Sequence, residues 1–164
     1  MGHFNVAILT ISDSAFTGNR EDVSGSVLSA ALSSMGFCQV HYEIVPDEKK
    51  IISDKLIALS SNQNIDLILT TGGTGLGPRD VTPEATMAVI EIEVPGITEL
   101  MRSETRPKTP FASLSRAVAG ITQGCLIINL PGSPKGVSEC MDAVSSIIPH
   151  ALGIMKESDG HLQC

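Results

Sequence analysis

Four short runs of apolar, β-branched and aromatic residues constrain the fold of this chain more than any other feature. They cover residues 6–11, 40–45, 67–71 and 126–130. A strand with one wet face alternates apolar and polar side chains, whereas a near-continuous apolar run indicates a strand buried on both faces. Helical segments separate the runs, and strands covered by helices on both faces form a largely parallel sheet. The sequence therefore predicts a three-layer α/β/α fold with a mostly parallel sheet.

Apolar residues three and four positions apart predict the helices. The first helix carries Leu28, Leu32 and Met35 and is expected to end at Gly36, because glycine commonly follows a helix C-terminus. The remaining apolar helix faces are Ile52, Leu56 and Leu59, and then, in one long final helix, Val137, Met141, Val144, Ile148, Leu152 and Met155. Between residues 91 and 124 the pattern is weaker. It predicts a helix over 97–106, after Pro95-Gly96, and an edge strand of either sense at 117–119.

Length and charge narrow the functional classes. A chain of 164 residues fits one domain, here residues 1–164. The net charge of −7 argues against binding to nucleic acid or to anionic lipid. No segment approaches the roughly 18 apolar residues of a membrane span. The N-terminus lacks a basic signal-type stretch, and the four cysteines, including Cys164, form no C-x-x-C pair. These features predict a cytoplasmic protein with reduced thiols.

Loops of similar chemistry follow all four predicted strands. They contain Ser12-Asp13, then Asp47-Glu48, then residues 72–80, and finally Pro131-Gly132-Ser133 with Lys135. In a parallel sheet these loops lie together at the carboxyl ends of the strands, where open α/β sheets bind ligands. Turns also favour glycine, aspartate and serine, so a set of ordinary turns is the alternative.

The third loop indicates a phosphate site. Gly72, Gly73 and Gly75 allow backbone amides to approach a phosphate, and Thr71 and Thr74 add hydroxyl groups. Further along, Arg79 can form a bidentate contact with phosphate oxygens, and Thr82 is predicted to cap the helix that contains Pro83 and Glu84. Pro78 excludes both the P-loop and the dinucleotide fingerprint. The alternative is a Gly-rich turn followed by a capped helix.

Carboxylates among these phosphate-type donors suggest a cation. Asp13, Asp22, Asp47 and Asp80 all lie in the loops. Carboxylates beside phosphate are unfavourable unless a cation intervenes, and Mg²⁺ is commonly held by one or two carboxylates together with phosphate oxygens. A helix cap or a solvated turn is the alternative for each aspartate. The histidines, His3, His41, His150 and His161, lie outside the loops, so no histidine base is predicted.

Residues 70–75 and 78–86 resemble the molybdopterin adenylyltransferase family of the MogA type, and also the related gephyrin G domain. The related MoaB branch shares parts of this motif, and residues 79–84 favour the adenylyltransferase branch. The resemblance extends to residues 11–13, 45–48, 114–116 and 127–133. It implies the MogA-like fold and a homotrimer. It also implies the Mg²⁺-dependent transfer of AMP from ATP to molybdopterin, with release of pyrophosphate. Other molybdenum cofactor synthesis proteins are possible partners.

By position, the resemblance assigns catalysis and metal binding to Asp47 and Asp80. Together with the loop chemistry, it leads us to expect that molybdopterin or nucleotide is bound by Ser12, Asp13, Thr71, Gly72, Gly73, Thr74, Gly75, Arg79, Glu84, Pro131, Gly132, Ser133 and Lys135. Two rival functions remain open at this stage. One is a non-catalytic molybdopterin-binding protein of the MoaB type, and the other is a nucleotide hydrolase on the same fold.

Overall fold

The computed structural model describes the backbone of residues 4–160 and the side chains of residues 4–156. Its strands are β1 (Asn5–Ile11), β2 (Cys38–Val45), β3 (Leu67–Thr71), β4 (Ile92–Glu93), β5 (Ala119–Thr122) and β6 (Cys125–Leu130). Its α-helices are α1 (Asp13–Phe16), α2 (Val23–Ser34), α3 (Lys49–Ser60), α4 (Thr82–Met87), α5 (Pro95–Thr105), α6 (Pro134–Val144) and α7 (Ile148–Gly160). A 3₁₀ helix covers Pro110–Leu114. His3, His161 and Cys164 lie outside the described residues.

One mixed sheet of six strands has the order β2-β1-β3-β6-β5-β4. The four strands predicted from the apolar runs pair in parallel, β5 pairs antiparallel with β6, and β4 pairs antiparallel with β5. The prediction of a mostly parallel α/β sheet is therefore confirmed. The prediction that all four strands are buried on both faces is wrong for β2. It forms the sheet edge, so most of its side chains are exposed or only partly buried.

Two apolar cores cover the two faces of the sheet. Val6 and Ile8 of β1 pack on one side, in a core that includes residues of α2, α5, α6 and α7. Ala7 and Leu9 of the same strand point to the other side, in a core that includes residues of α3 and α4. Successive residues of a strand face opposite sides of a sheet, so one continuous apolar strand supplies both cores. This arrangement gives the three layers that the sequence predicts.

The predicted single final helix is two helices in the structure. Helix α6 ends at Val144 and α7 begins at Ile148. Pro149 follows directly, and a proline inside a continuous helix would lose a backbone hydrogen bond and clash with the preceding turn. In the first turn of a new helix this proline is tolerated. The apolar spacing continues unchanged across the break, so the periodicity alone does not reveal it.

Three smaller predictions also need correction. Thr82 is not the cap of α4 but its first residue, because its hydroxyl donates to the carbonyl of Gly72 at 2.8 Å instead of capping the helix. The predicted edge strand at 117–119 begins at Ala119 and lies inside the sheet, since β4 pairs on its outer side. Helix α5 begins at Pro95, two residues before the predicted start, with the proline in its first turn. Within the described residues, no helix is long and apolar enough to span a membrane.

Candidate active site

The loops after β1, β2, β3 and β6 meet at one edge of the sheet, as the sequence predicts. The Ser12 amide donates to the Val45 carbonyl at 3.0 Å, and the Gly72 amide donates to the Leu130 carbonyl at 3.2 Å. The chain passes from β1 to β2 on one side, and β3 lies on the other side of β1. Such a change of direction opens a crevice between neighbouring loops, and open α/β sheets bind ligands there.

Asp13 and Asp47 join the first two loops by a reciprocal pair of hydrogen bonds. The Asp13 amide donates to Oδ2 of Asp47 at 2.8 Å, and the Asp47 amide donates to Oδ1 of Asp13 at 3.0 Å. Each carboxylate thus keeps one oxygen on the neighbouring backbone. This contact fixes the relative position of the two loops.

The third and fourth loops approach each other closely through glycine. Gly72 has φ of +102°, and a Cβ there would collide with the Ile11 carbonyl oxygen. A Cβ on Gly132 would lie 3.2 Å from Cα of Gly72. The Thr71 hydroxyl donates to the Pro131 carbonyl at 2.7 Å, which ties the loops together. Only glycine fits the left-handed conformation and the close contact at Gly72.

Two cavities open at this edge. The larger one, about 490 Å³, lies between the third and fourth loops, α5, α6 and the 3₁₀ helix. The smaller one, about 200 Å³, lies between the first and third loops and the start of α2. Gly73, Asp80 and Gly132 line both cavities. The two spaces therefore adjoin at a point where one acidic side chain faces both.

The predicted site residues divide into four groups around these cavities, and Gly73, Asp80 and Gly132, which line both, form the first. The larger cavity is also lined by Thr74, Gly75, Pro131 and Ser133, and the smaller one by Ser12, Asp47, Thr71 and Gly72. The remaining predicted residues, Asp13, Arg79, Glu84 and Lys135, line neither cavity. Ser133 also caps α6 by accepting from the Gly136 amide at 3.1 Å.

Asp47 and Asp80 lie near the junction of the cavities, and the charge of Asp80 acts on Asp47. Burial raises the pKa of Asp47, and the negative charges of Asp13 and Asp80 raise it further. Asp80 accepts a hydrogen bond from the Gly77 amide at 2.8 Å through Oδ2. Clustered carboxylates of this kind are unfavourable without a cation, and a bound divalent ion would relieve their repulsion.

Arg79 binds carboxylates in this structure and does not point into either cavity. It lies 3.0 Å from Oδ2 of Asp13 and 3.0 Å from Oε1 of Glu48. The hydrogen bonds from Arg79 and from the Asp47 amide hold the pKa of Asp13 below its ordinary value. The cation predicted to contact phosphate thus joins the third loop to the first two. Lys135 is largely exposed, with Nζ 4.0 Å from Glu139.

Arg116 is a residue of this site that the loop-by-loop sequence reasoning missed. It follows the 3₁₀ helix and binds the Gly-rich loop through its backbone and its guanidinium group. Glu84, a predicted ligand-binding residue, forms an ion pair with it. The segment 114–116 contributes to the family resemblance but follows none of the parallel strands. A search that joined family motifs to loop chemistry could have included it.

The fold and the paired cavities define an α/β protein whose candidate ligand site lies at the carboxyl ends of parallel strands. The family model MoCF_biosynth, described as "Probable molybdopterin binding domain", matches residues 7–150. The chain therefore belongs to this molybdenum cofactor biosynthesis family.

Individual relatives agree with the family. A molybdopterin adenylyltransferase from Helicobacter pylori strain J99 is 43% identical over 94% of this chain and 89% of its own length. A solved structure of the molybdopterin biosynthesis enzyme MoaB from Thermus thermophilus is 49% identical, with a TM-score of 0.88 over 93% of this chain and 96% of that one. The molybdopterin biosynthesis Mog protein from Mycobacterium ulcerans is 34% identical, with a TM-score of 0.88 over 96% of this chain and 99% of that one.

Proposed function

We propose that this chain acts in molybdenum cofactor biosynthesis by transferring the adenylyl group of ATP to the terminal phosphate of molybdopterin. The observation that carries this proposal is the pair of adjoining cavities that share Gly73, Asp80 and Gly132. A two-substrate transfer needs two neighbouring binding spaces with charge-stabilising groups where they meet. The names of the relatives at 38–43% identity support the same reaction.

The two cavities differ in a way that suits the two halves of such ligands. Met101, Phe111 and Leu114 line the larger cavity and offer apolar contact to a flat heterocycle. The smaller cavity has mainly polar groups, among them Ser12 and Thr71, which suit phosphate oxygens. We propose that rings occupy the larger space and that phosphates meet near the shared residues.

The chemistry places few demands on a protein base. The second pKa of a phosphate monoester is about 6, so the terminal phosphate of molybdopterin is already largely anionic at neutral pH. One of its oxygens forms a bond to the α-phosphorus of ATP, the bond from that phosphorus to the bridging oxygen breaks, and the electron pair leaves with pyrophosphate. The protein must align two anions and offset their repulsion. We propose that backbone amides and hydroxyl groups of the Gly-rich loop do this.

We propose Mg²⁺ as the cofactor, held by Asp47 and Asp80. The raised pKa of Asp47, caused by burial and then by neighbouring carboxylates, fits a cation in this position. Within residues 4–156, no three carboxylate, histidine or cysteine side chains group into a metal site. Mg²⁺ often uses one or two carboxylates and takes its remaining ligands from phosphates and water. When bound, the ion would neutralise charge that develops on the phosphates.

ATP consumption that depends on molybdopterin tests the proposal. We expect pyrophosphate release only when molybdopterin, ATP and Mg²⁺ are all present, and its loss in excess chelator. Hydrolysis of ATP without molybdopterin would indicate the hydrolase alternative. Molybdopterin binding without ATP consumption would indicate a non-catalytic binding protein of the MoaB type, which is the second candidate. Full activity in chelator would refute the role of Mg²⁺.

We also propose, from the family resemblance, that the chain is a single domain over residues 1–164 that forms a cytoplasmic homotrimer. Molybdopterin and ATP are its expected small-molecule partners, and other molybdenum cofactor synthesis proteins are proposed to deliver or receive the pterin. Light scattering at working concentration should give the mass of three chains. A monomeric mass would contradict the proposed assembly.

A further inference from the structure

Arg116 contacts both ends of the exposed part of the Gly-rich loop. Its backbone amide donates to the Thr74 carbonyl at 2.9 Å, and its Nε donates to the Gly75 carbonyl at 2.7 Å. Its Nη2 donates to the Asp80 carbonyl at 2.5 Å. The residues between these contacts are mostly exposed, so the loop has little packing of its own and depends on side-chain contacts.

Glu84 fixes the orientation of this guanidinium group. It forms an ion pair with Nη1 of Arg116, while the other two guanidinium nitrogens bind the loop carbonyls. All three nitrogens therefore already have protein partners. Arg116 lines neither cavity, so its charge acts on the loop and not directly on a ligand. The planar guanidinium group suits this role because its donors have fixed directions that a lysine cannot reproduce.

The loop held in this way carries Asp80, the acidic residue that faces both cavities. Inside the loop, Asp80 is restrained by two contacts with Gly77. The Gly77 amide donates to Oδ2 of Asp80 at 2.8 Å, and the Asp80 amide donates to the Gly77 carbonyl at 3.0 Å. These contacts keep the turn compact but do not fix it relative to the sheet. Two arginines make that connection: Arg79 binds Asp13 and Glu48 in the first two loops, and Arg116 holds the Asp80 carbonyl.

We infer that Arg116 is a positioning residue that holds the Gly-rich loop so that Asp80 faces both substrates. The inference rests on the proposed function, because it concerns the geometry of that reaction. A displacement of a reacting or charge-stabilising group by about 1 Å can cost on the order of a hundredfold in rate. Arg116→Lys keeps the charge but cannot make three directed contacts, so the loop should move while the fold remains.

Hydrogen exchange at the Gly77 and Asp80 amides tests the loop itself. Losing one charge-assisted hydrogen bond, worth about 1.5–3 kcal/mol, corresponds to about a tenfold or larger increase in loop opening. We expect this increase in exchange for Arg116→Lys and for Arg116→Gln, with unchanged protection of the β3 amides. Arg106→Lys is the matched control, because Arg106 lies at the end of α5 outside both cavities and is expected to exchange like the parent.

Steady-state kinetics distinguish a role of Arg116 in positioning Asp80 from a role in stabilising the fold. We expect kcat for adenylyl-molybdopterin formation to fall about a hundredfold in Arg116→Lys, with the KM values for ATP and molybdopterin changed far less. Glu84→Gln leaves Arg116 in place and should also speed exchange of the loop amides and lower kcat, both to a smaller extent. This variant provides a second test if the arginine variants do not fold. The positioning role would be overturned if the Gly77 and Asp80 amides of the Arg116 variants exchanged at the parent rate. It would also be overturned if those amides exchanged faster while kcat stayed at the parent value. A parent chain that makes no product would instead overturn the proposed function.

Discussion

Replacing Asp80 by asparagine removes one charge from the junction of the two cavities and changes little else. In the parent the Gly77 amide donates to Oδ2 of Asp80 at 2.8 Å. The side-chain oxygen of asparagine can accept the same hydrogen bond, so the turn should persist. If Asp80 holds Mg²⁺ on the phosphates, losing its charge should lower the adenylylation rate by about a hundredfold or more. That loss corresponds to about 2.7 kcal/mol of transition-state stabilisation. Molybdopterin affinity should persist, because the phosphate contacts that we propose are made mainly by backbone amides and hydroxyl groups.

The same substitution should also change the titration of Asp47. Burial is the largest cause of the raised pKa of Asp47, and the charges of Asp13 and Asp80 add to it. In Asp80→Asn the pKa of Asp47 should therefore fall but stay above its ordinary value. Carboxyl carbon shifts measured by NMR report this pKa, and a single-turnover assay gives the rate. Asp54→Asn, which breaks an exposed ion pair with Lys50 on α3, is the control. An unchanged rate would remove Asp80 from the mechanism, and an unchanged pKa would refute the electrostatic argument.

Three further predictions concern the fold and the larger cavity. Gly72→Ala should destabilise the chain by about 2 kcal/mol or more in urea unfolding, whereas Gly153→Ala, at an open helical position, should stabilise it. Burial and then the charge of Asp66 raise the pKa of Cys125 from 9.0 to about 12, so the thiol stays protonated in the folded chain at pH values where it ionises in the unfolded chain. Stability should fall above pH 9 by up to about 1.4 kcal/mol per pH unit from this thiol, and Cys125→Ala should flatten that slope. Phe111→Ala should raise the KM of one substrate about tenfold, because the aromatic contact with the substrate ring is lost. Phe16→Ala is the control, since Phe16 lines neither cavity. If Phe111→Ala has the same KM values as the parent, the proposed ring site is refuted.

The sequence predicts the sheet and the meeting of the loops because both follow from short-range patterns. Near-continuous apolar runs identify the parallel strands, and parallel strands bring their carboxyl ends to one edge. This logic places Asp47 and Asp80 near each other although they are far apart in the chain. It does not detect the two-residue strand β4, which is too short to show periodicity. It also does not show that β2 lies at an edge, because its own composition is typical of a strand in either place.

The side-chain partners in the site could not be predicted in the same way. Arg79 binds Asp13 and Glu48, a choice that depends on how the first three loops approach one another. Arg116 reaches the Gly-rich loop from a segment 36 residues beyond Asp80, as the contact with the Asp80 carbonyl requires. Thr82 shows the same limit, because its hydroxyl has a tertiary acceptor that competes with local capping. Contacts between distant segments follow from the packed fold and not from local spacing.

The most direct test of the proposed function follows the α-phosphorus of ATP. Purified protein is mixed with molybdopterin, Mg²⁺ and ATP labelled at the α-phosphorus, and the products are separated and identified by mass. The proposed reaction predicts that the label appears in adenylyl-molybdopterin, with one pyrophosphate released for each molecule formed. Label recovered only in ATP, or in free AMP or ADP without adenylyl-molybdopterin, would contradict it.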